Sequence, residues 1–323
     1  MPATAADARP DLRVCTVCGA VCDRFGPGPG GHRQDACCRA CGALERHRFL
    51  VLVAAGLTAA TKGEGILLDV APMSATAPLL KTSALAGYLA MDFDPKADNR
   101  IVDVVASLTD APVPDSSVAL LVCMHVLEHI PDDAAAMREI ARVLSSAGIA
   151  VIQVPHRSGV PTDEDPSAGP AERLRRFGQA DHVRYYGDDF EDRLRAAGLT
   201  VTVITPGDVV EPRVMGLLGL LSDETFWLCT RPEGGPADPA ATLRAALPDA
   251  FAAVLTRSAA TTLRERARLT SSGGASPAKP AAAPPNGLAP TSMKRVRQSN
   301  AYRVVRRSLP GRAAAKAARS LRR

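Results

Sequence analysis

The sequence predicts an α/β fold, with a small cysteine-held module ahead of it and a basic tail behind. Three observations lead there. Apolar runs at Leu120 to Cys123 and Ile149 to Val154 flank a helical segment, the pattern of a β-α-β unit whose strands are buried on both faces. Cys15-x-x-Cys18 and Cys38-x-x-Cys41 form two paired knuckles, separated by Gly19 to Cys37. All 34 acidic residues lie at or before Glu265, whereas 14 Lys and Arg follow it; the +5 charge of the 323-residue chain therefore hides a body of 25 basic and 34 acidic residues, net −9.

The four thiolates of Cys15, Cys18, Cys38 and Cys41 suit a tetrahedral zinc ion, and Gly19 and Gly42 free the backbone where each knuckle turns. A four-thiolate site is closed, so its zinc holds the fold rather than performing chemistry. Cys22 and Cys37 lie nearby but fit the two knuckles less well, and disulfides are the alternative, disfavoured in a reducing compartment. Leu44 to Val51 starts a helix linking this ribbon to the next domain, with His47 expected as a packed or solvated helix residue.

Ile66 to Val70, carrying Asp69, is the expected first buried strand; Gly87 to Met91 is the second, ending at Asp92, 23 residues after Asp69. Ligands of open α/β sheets collect at the carboxyl ends of strands, and an acid at the end of the second accepts bonds from ribose hydroxyls. Ile101 to Val105 is the expected third strand and Leu120 to Cys123 the fourth. Pro131, Asp132 and Asp133 then open a helix over Ala134 to Leu144, with Met137, Ile140, Val143 and Leu144 on one side, and Gly148 suits the turn that ends it. Gly159 to Pro170 reads as an exposed loop and Arg173 to Gly187 as a long polar loop with interleaved aromatics. A helix over Asp188 to Ala197, a strand over Thr200 to Thr205 and a late apolar run over Thr225 to Thr230 follow, which makes Cys123 and Cys229 buried strand residues.

The order of these motifs from Ile66 to Arg231 resembles class I S-adenosylmethionine-dependent methyltransferases, of the methyltransferase type 11-like kind. The resemblance implies a Rossmann-like seven-stranded sheet with helices on both faces and an antiparallel last strand. It also implies S-adenosylmethionine as cofactor, bound by Asp69, Val70, Ala71, Pro72, Asp92, Phe93, Ser107, Leu108 and His125, with Asp92 on the ribose and Phe93 beside the adenine. The sequence departs from the family pattern D/E-x-G-x-G-x-G, since Asp69-Val70-Ala71-Pro72-Met73-Ser74 contains no glycine; Ser107 and Ala119 stand where acids are usual. A zinc-ribbon scaffold that keeps the fold without catalysis is the rival from another class.

On the acceptor side, His125-x-x-Glu128-His129 is similar to the Glu-x-x-Glu-His arrangement of some magnesium-assisted O-methyltransferases, with His125 in place of the first glutamate. These residues offer a site for magnesium or another divalent ion, a general base at His129, or a cap for the following helix; His182 is the second base candidate. The implied function is methyl transfer to a small-molecule or glycan acceptor, on oxygen, with nitrogen the less favoured atom. A zinc ribbon ahead of this fold also resembles certain ribosomal RNA methyltransferases, which makes RNA the rival acceptor.

The expected organisation is a zinc ribbon with linking helix over 1–56, the methyltransferase domain over 60–232, a helical and low-complexity linker over 233–293, and a largely disordered basic tail over 294–323. That tail holds 11 Lys and Arg, and either solubilises the chain or attaches it to an anionic membrane surface or RNA. Lacking a bilayer-length apolar run and a secretory signal in Met1 to Val14, the protein is expected in the cytoplasm, at most peripheral at a membrane.

Overall fold

The computed structural model describes residues 12–60, 65–82, 85–96, 100–253 and 256. The low-complexity segment 271–291 and the basic tail 294–323 lie outside the described residues. In the ribbon, β1 (Arg13–Val14) and β2 (Val21–Cys22) pair antiparallel. Its two cysteine knuckles are the same turn used twice: Gly19 N–H donates to the Cys15 carbonyl and Gly42 N–H to the Cys38 carbonyl, both at 2.8 Å, with φ of 77° and 74°. That left-handed backbone is what glycine supplies at both places. Helix α1 (Glu45–Ala60) leads out of the ribbon and buries Phe49, Leu50, Val53 and Leu57 against the sheet.

The body follows as β3 (Ile66–Val70), α2 (Ala77–Lys81), β4 (Gly87–Asp92), β5 (Val104–Val105), β6 (Val118–Met124), α3 (Asp133–Val143) and β7 (Leu144–Gln153). After these come β8 (Asp163–Glu164), α4 (Pro170–Phe177), β9 (Arg184–Tyr185), α5 (Phe190–Ala196), β10 (Thr200–Ile204), α6 (Pro206–Val209), α7 (Pro212–Leu218) and β11 (Phe226–Thr230). Among the described residues, seven of these strands make one sheet in the order β5-β4-β3-β6-β7-β11-β10. β11 runs antiparallel to both β7 and β10, and the other neighbours are parallel. The chain reverses its direction of growth between β3 and β6, which is where open α/β sheets bind ligands.

Strict alternation along the central strands explains their unbroken apolar sequence. Leu121 and Cys123 of β6, Ala150 and Ile152 of β7, and Trp227 and Cys229 of β11 face one layer, against Met137, Ile140 and Val143 of α3 and Phe190 of α5. Leu120, Val122 and Met124, Ile149 and Val151, and Phe226 and Leu228 face the other, against α1. A strand covered on both faces has no polar side to show. Residues 239–253 are helical and send Ala240, Leu243 and Leu247 into that second layer, with Gly56 of α1 so close that an added Cβ would meet Leu243 Cδ1 at 2.9 Å.

Several expectations need correction. The third strand is only Val104–Val105, and Ile101 is 93% exposed; the Asp103 carboxylate takes the Ala90 N–H at 3.0 Å, so pairing starts late. Gly148 lies inside β7, not in a turn, because α3 passes directly into the strand at Leu144; a Cβ there would come within 2.5 Å of the Val118 carbonyl oxygen. The polar segment 173–187 is not a long loop: α4 starts at Pro170 and ends at Gly178 with φ 84°, and β9 pairs with β8 inside the supposed loop 159–170. Among the described residues no helix is long and apolar enough to cross a membrane.

Candidate active site

The four predicted cysteines of the ribbon come together. Cys15 and Cys41 Sγ lie 3.7 Å apart, as do Cys18 and Cys38 Sγ, and all four sulfurs fall within 4.8 Å of one another. A zinc ion with bonds of about 2.3 Å in a tetrahedron separates its sulfurs by roughly 3.8 Å. The residues therefore fit the ion. Cys37 Sγ instead points to the Gly42 carbonyl at 3.5 Å, and neither it nor Cys22 joins the cluster. Beside the cluster, the fully buried Arg48 donates to the carbonyls of Ala36, Ala43, Leu218 and Gly219 and lies 4.0 Å from the Phe25 ring centroid. Its charge sits close to Cys15 and Cys38 and would offset the excess negative charge of four thiolates if they held one divalent ion.

At the carboxyl ends of β3 and β4 stand the predicted cofactor residues. Asp69 is buried, accepts the Tyr88 hydroxyl at 2.7 Å, and burial pushes its carboxyl up to about 7. Val70 ends the strand, and Ala71 then takes φ 52° while its N–H donates to the Met91 carbonyl at 2.8 Å. The turn thus keeps the left-handed backbone of a glycine loop with a methyl group in place of hydrogen, and Pro72 fixes the next residue. Asp92 ends β4, ion-paired to Arg100 at 2.9 Å and accepting the Asp94 N–H at 3.2 Å; each oxygen keeps further acceptor capacity. Phe93 beside it is 75% exposed, its ring open to stacking on a base. Ser107 caps the short turn Leu108–Asp110 through the Thr109 N–H, and Leu108 is buried.

The residues expected on the acceptor side gather at the end of β6. His125 has φ 55°, and its Nδ1 meets Glu128 Oε1 at 3.2 Å. Glu128 is fully buried and its Oε2 has no partner. His129 Nδ1 meets Asp181 Oδ2 at 3.2 Å, and its ring stands edge-to-face with His182, centroids 4.6 Å apart. His182 is buried, with Nδ1 3.1 Å from the Phe177 carbonyl oxygen and Nε2 unpartnered; desolvation lowers its pKa and keeps the ring neutral. The helix start itself needs none of these residues, because Asp132 caps it by accepting the Ala135 N–H.

Residues 44–203 match the sequence profile of a family described as "Methyltransferase domain". Strand order and profile agree. Residues 44–203 are a methyltransferase domain. Over 76 residues it is 37% identical to each of two Mycobacterium tuberculosis proteins, from strains CDC 1551 and H37Rv, both named "Probable S-adenosylmethionine-dependent methyltransferase". That stretch covers 21% of this chain and only 28% of each relative. Among solved structures, the YcgJ protein of Bacillus subtilis is 17% identical, with 57% of this chain and 99% of that chain covered at a TM-score of 0.37. The 1,6-didemethyltoxoflavin-N1-methyltransferase of Burkholderia thailandensis, solved with S-adenosylhomocysteine, is 16% identical, with 55% and 76% covered at 0.36.

The methyltransferase domain brings Glu128, His129 and His182 into one corner and sets Asp69, Ala71 and Asp92 along adjoining strand ends. Sequence reasoning missed the residues that hold this corner. Arg184 donates to the carbonyls of Leu127, Ile130 and Pro131 and so fixes the turn that carries Glu128 and His129. Gln153 Nε2 donates to Glu224 Oε1 at 3.0 Å, and Arg46 of α1 feels the charges of Glu224 and Glu128. His47, in the same turn, accepts the Leu44 N–H on Nδ1 and is driven down to about 3 by burial, which makes it a neutral cap. Position alone could have flagged Arg46, since the linking helix starts at the domain's edge; nothing in the sequence announced Arg184.

Proposed function

We propose that this chain transfers a methyl group from S-adenosylmethionine to an oxygen of a small-molecule or glycan acceptor. The observation that carries the reading is Asp92 at the carboxyl end of β4, two strand ends away from the Glu128–His129–His182 corner at β6, with the left-handed Ala71 turn between them. Asp92 would accept the ribose hydroxyls, Phe93 would cover the adenine, and the Ala71 turn would let the backbone approach the amino-acid end. When bound, S-adenosylmethionine supplies an electrophilic methyl whose carbon–sulfur bond breaks as the acceptor oxygen bonds to the carbon. The protein's share is alignment, which is the larger part of such a transfer, and relief of the acceptor's proton at the histidine corner.

An RNA acceptor is less well supported, because the body that would grip it carries a net charge of −9. A cytoplasmic setting is supported by the cysteines, whose sulfurs sit 3.7 Å apart and unbridged in an arrangement suited to metal. The acceptor class is tested by incubating the full chain with methyl-labelled cofactor and fractionated cell extract. Label in a sugar-containing or small polar fraction is the expected result, and label confined to RNA would overturn the acceptor assignment.

A further inference from the structure

The geometry points to a second metal site, formed by Glu128, His129 and His182, which takes a divalent first-row transition ion such as zinc, cobalt or manganese. The inference rests on the reading that this corner receives the acceptor. One ligating atom from each of the three residues lies within 4.8 Å of the others. Two of the three side chains are more than nine-tenths buried and have an atom with nothing to bond: Glu128 Oε2 and His182 Nε2. An unpaired carboxylate oxygen and an unpaired imidazole nitrogen, both buried and side by side, are costly unless a cation joins them.

The outer contacts favour ligation. Both imidazoles are engaged at Nδ1, His182 by the Phe177 carbonyl at 3.1 Å and His129 by the Asp181 carboxylate at 3.2 Å, which leaves Nε2 of each ring as the free donor of a lone pair. Carbonyl or carboxylate partners at the far nitrogen are the usual way metal-binding histidines are oriented. Glu128 is arranged likewise, with Oε1 held by His125 Nδ1 and Oε2 free. The edge-to-face rings, at 89°, suit two ligands approaching one ion from different directions. Bonds of 2.0–2.1 Å set tetrahedral ligand atoms about 3.4 Å apart, so binding an ion would draw in ligand atoms that now lie within 4.8 Å of one another.

The donor set decides the metal class. Magnesium prefers an all-oxygen octahedron and keeps its waters, whereas two imidazoles with one carboxylate are the ligands of zinc and its neighbours. Such an ion keeps open positions, and an acceptor hydroxyl bound there would be acidified, its proton leaving to solvent.

The test counts metal in the full chain with the ribbon zinc in place. After equilibration with micromolar zinc and dialysis, the chain should hold two zinc ions, and the Glu128→Gln/His182→Asn double variant and the His129→Gln variant one each, with the ribbon zinc retained as evidence of folding. Cobalt added to chain that holds a single zinc, in the ribbon, should give weak visible bands without thiolate charge transfer, undisturbed by millimolar magnesium. A wild-type chain that stays at one metal, or variants that keep two, overturns the site. Calorimetric binding of S-adenosylhomocysteine is read in parallel; if it persists while the second metal is absent, this inference alone has failed.

Discussion

At Ala71 the backbone takes φ 52°, a conformation that costs an ordinary L-residue roughly 1–2 kcal/mol and glycine almost nothing. Ala71→Gly trades that strain against the greater freedom glycine has when unfolded, about 0.4–1 kcal/mol, so stability should rise by about 1 kcal/mol or less, whereas the β-branched Ala71→Val should cost on the order of 1–2 kcal/mol in urea melts. Asp69 offers a test by pH. Its carboxyl, raised by burial to about 7, stays protonated in the folded chain well above the range where the unfolded chain has lost its proton. The unfolded state therefore binds fewer protons in that window, and stability falls as pH rises through it. Asp69→Asn, which keeps an acceptor for Tyr88, should be the more stable form at pH 8 by on the order of a few kcal/mol, the gap closing below about pH 4. His182→Ala should lower turnover about 100-fold or more while leaving S-adenosylhomocysteine affinity within twofold, since its ring lies in the proposed acceptor corner beside His129 and not at the strand ends proposed for the cofactor.

Among the elements, α1 does two jobs, carrying the ribbon on its first turn and covering one sheet face with the rest. Arg48 is the joint, with four main-chain carbonyls bonded to one buried guanidinium. Arg48→Met leaves those carbonyls without donors and should cost on the order of 3 kcal/mol or more, measured as a fall in melting temperature and faster loss of ribbon zinc to a chelator. The elements legible in the sequence were those whose pattern is set by burial on two faces: Leu120 to Cys123, Ile66 to Val70, Phe226 to Thr230, and the two knuckles with their glycines. Helix α4 was not legible, because it buries only Phe177 and exposes Leu174, so its apolar period is missing although Pro170 and Gly178 mark its ends. That omission mattered, since Phe177 is the residue that orients His182. Gly148 was misread for the opposite reason: a turn residue by type, it serves in a strand where the Val118 carbonyl leaves no space for a side chain.

On the scale of the whole molecule, α1 and the helix at 239–253 brace one face of the sheet, and the ribbon packs on α1 through Val51. The order of motifs made the methyltransferase architecture readable, and long-range pairs such as Arg184 with the 127–131 turn were unreadable because no local spacing encodes them. We propose that the Ala71 turn, though it lacks glycine, still serves S-adenosylmethionine. Titration calorimetry of the full chain with S-adenosylhomocysteine tests it most directly. One site per chain is predicted, weakened at least tenfold, about 1.4 kcal/mol, by Asp92→Ala; no heat of binding in the unaltered chain, or equal affinity in both, would contradict it.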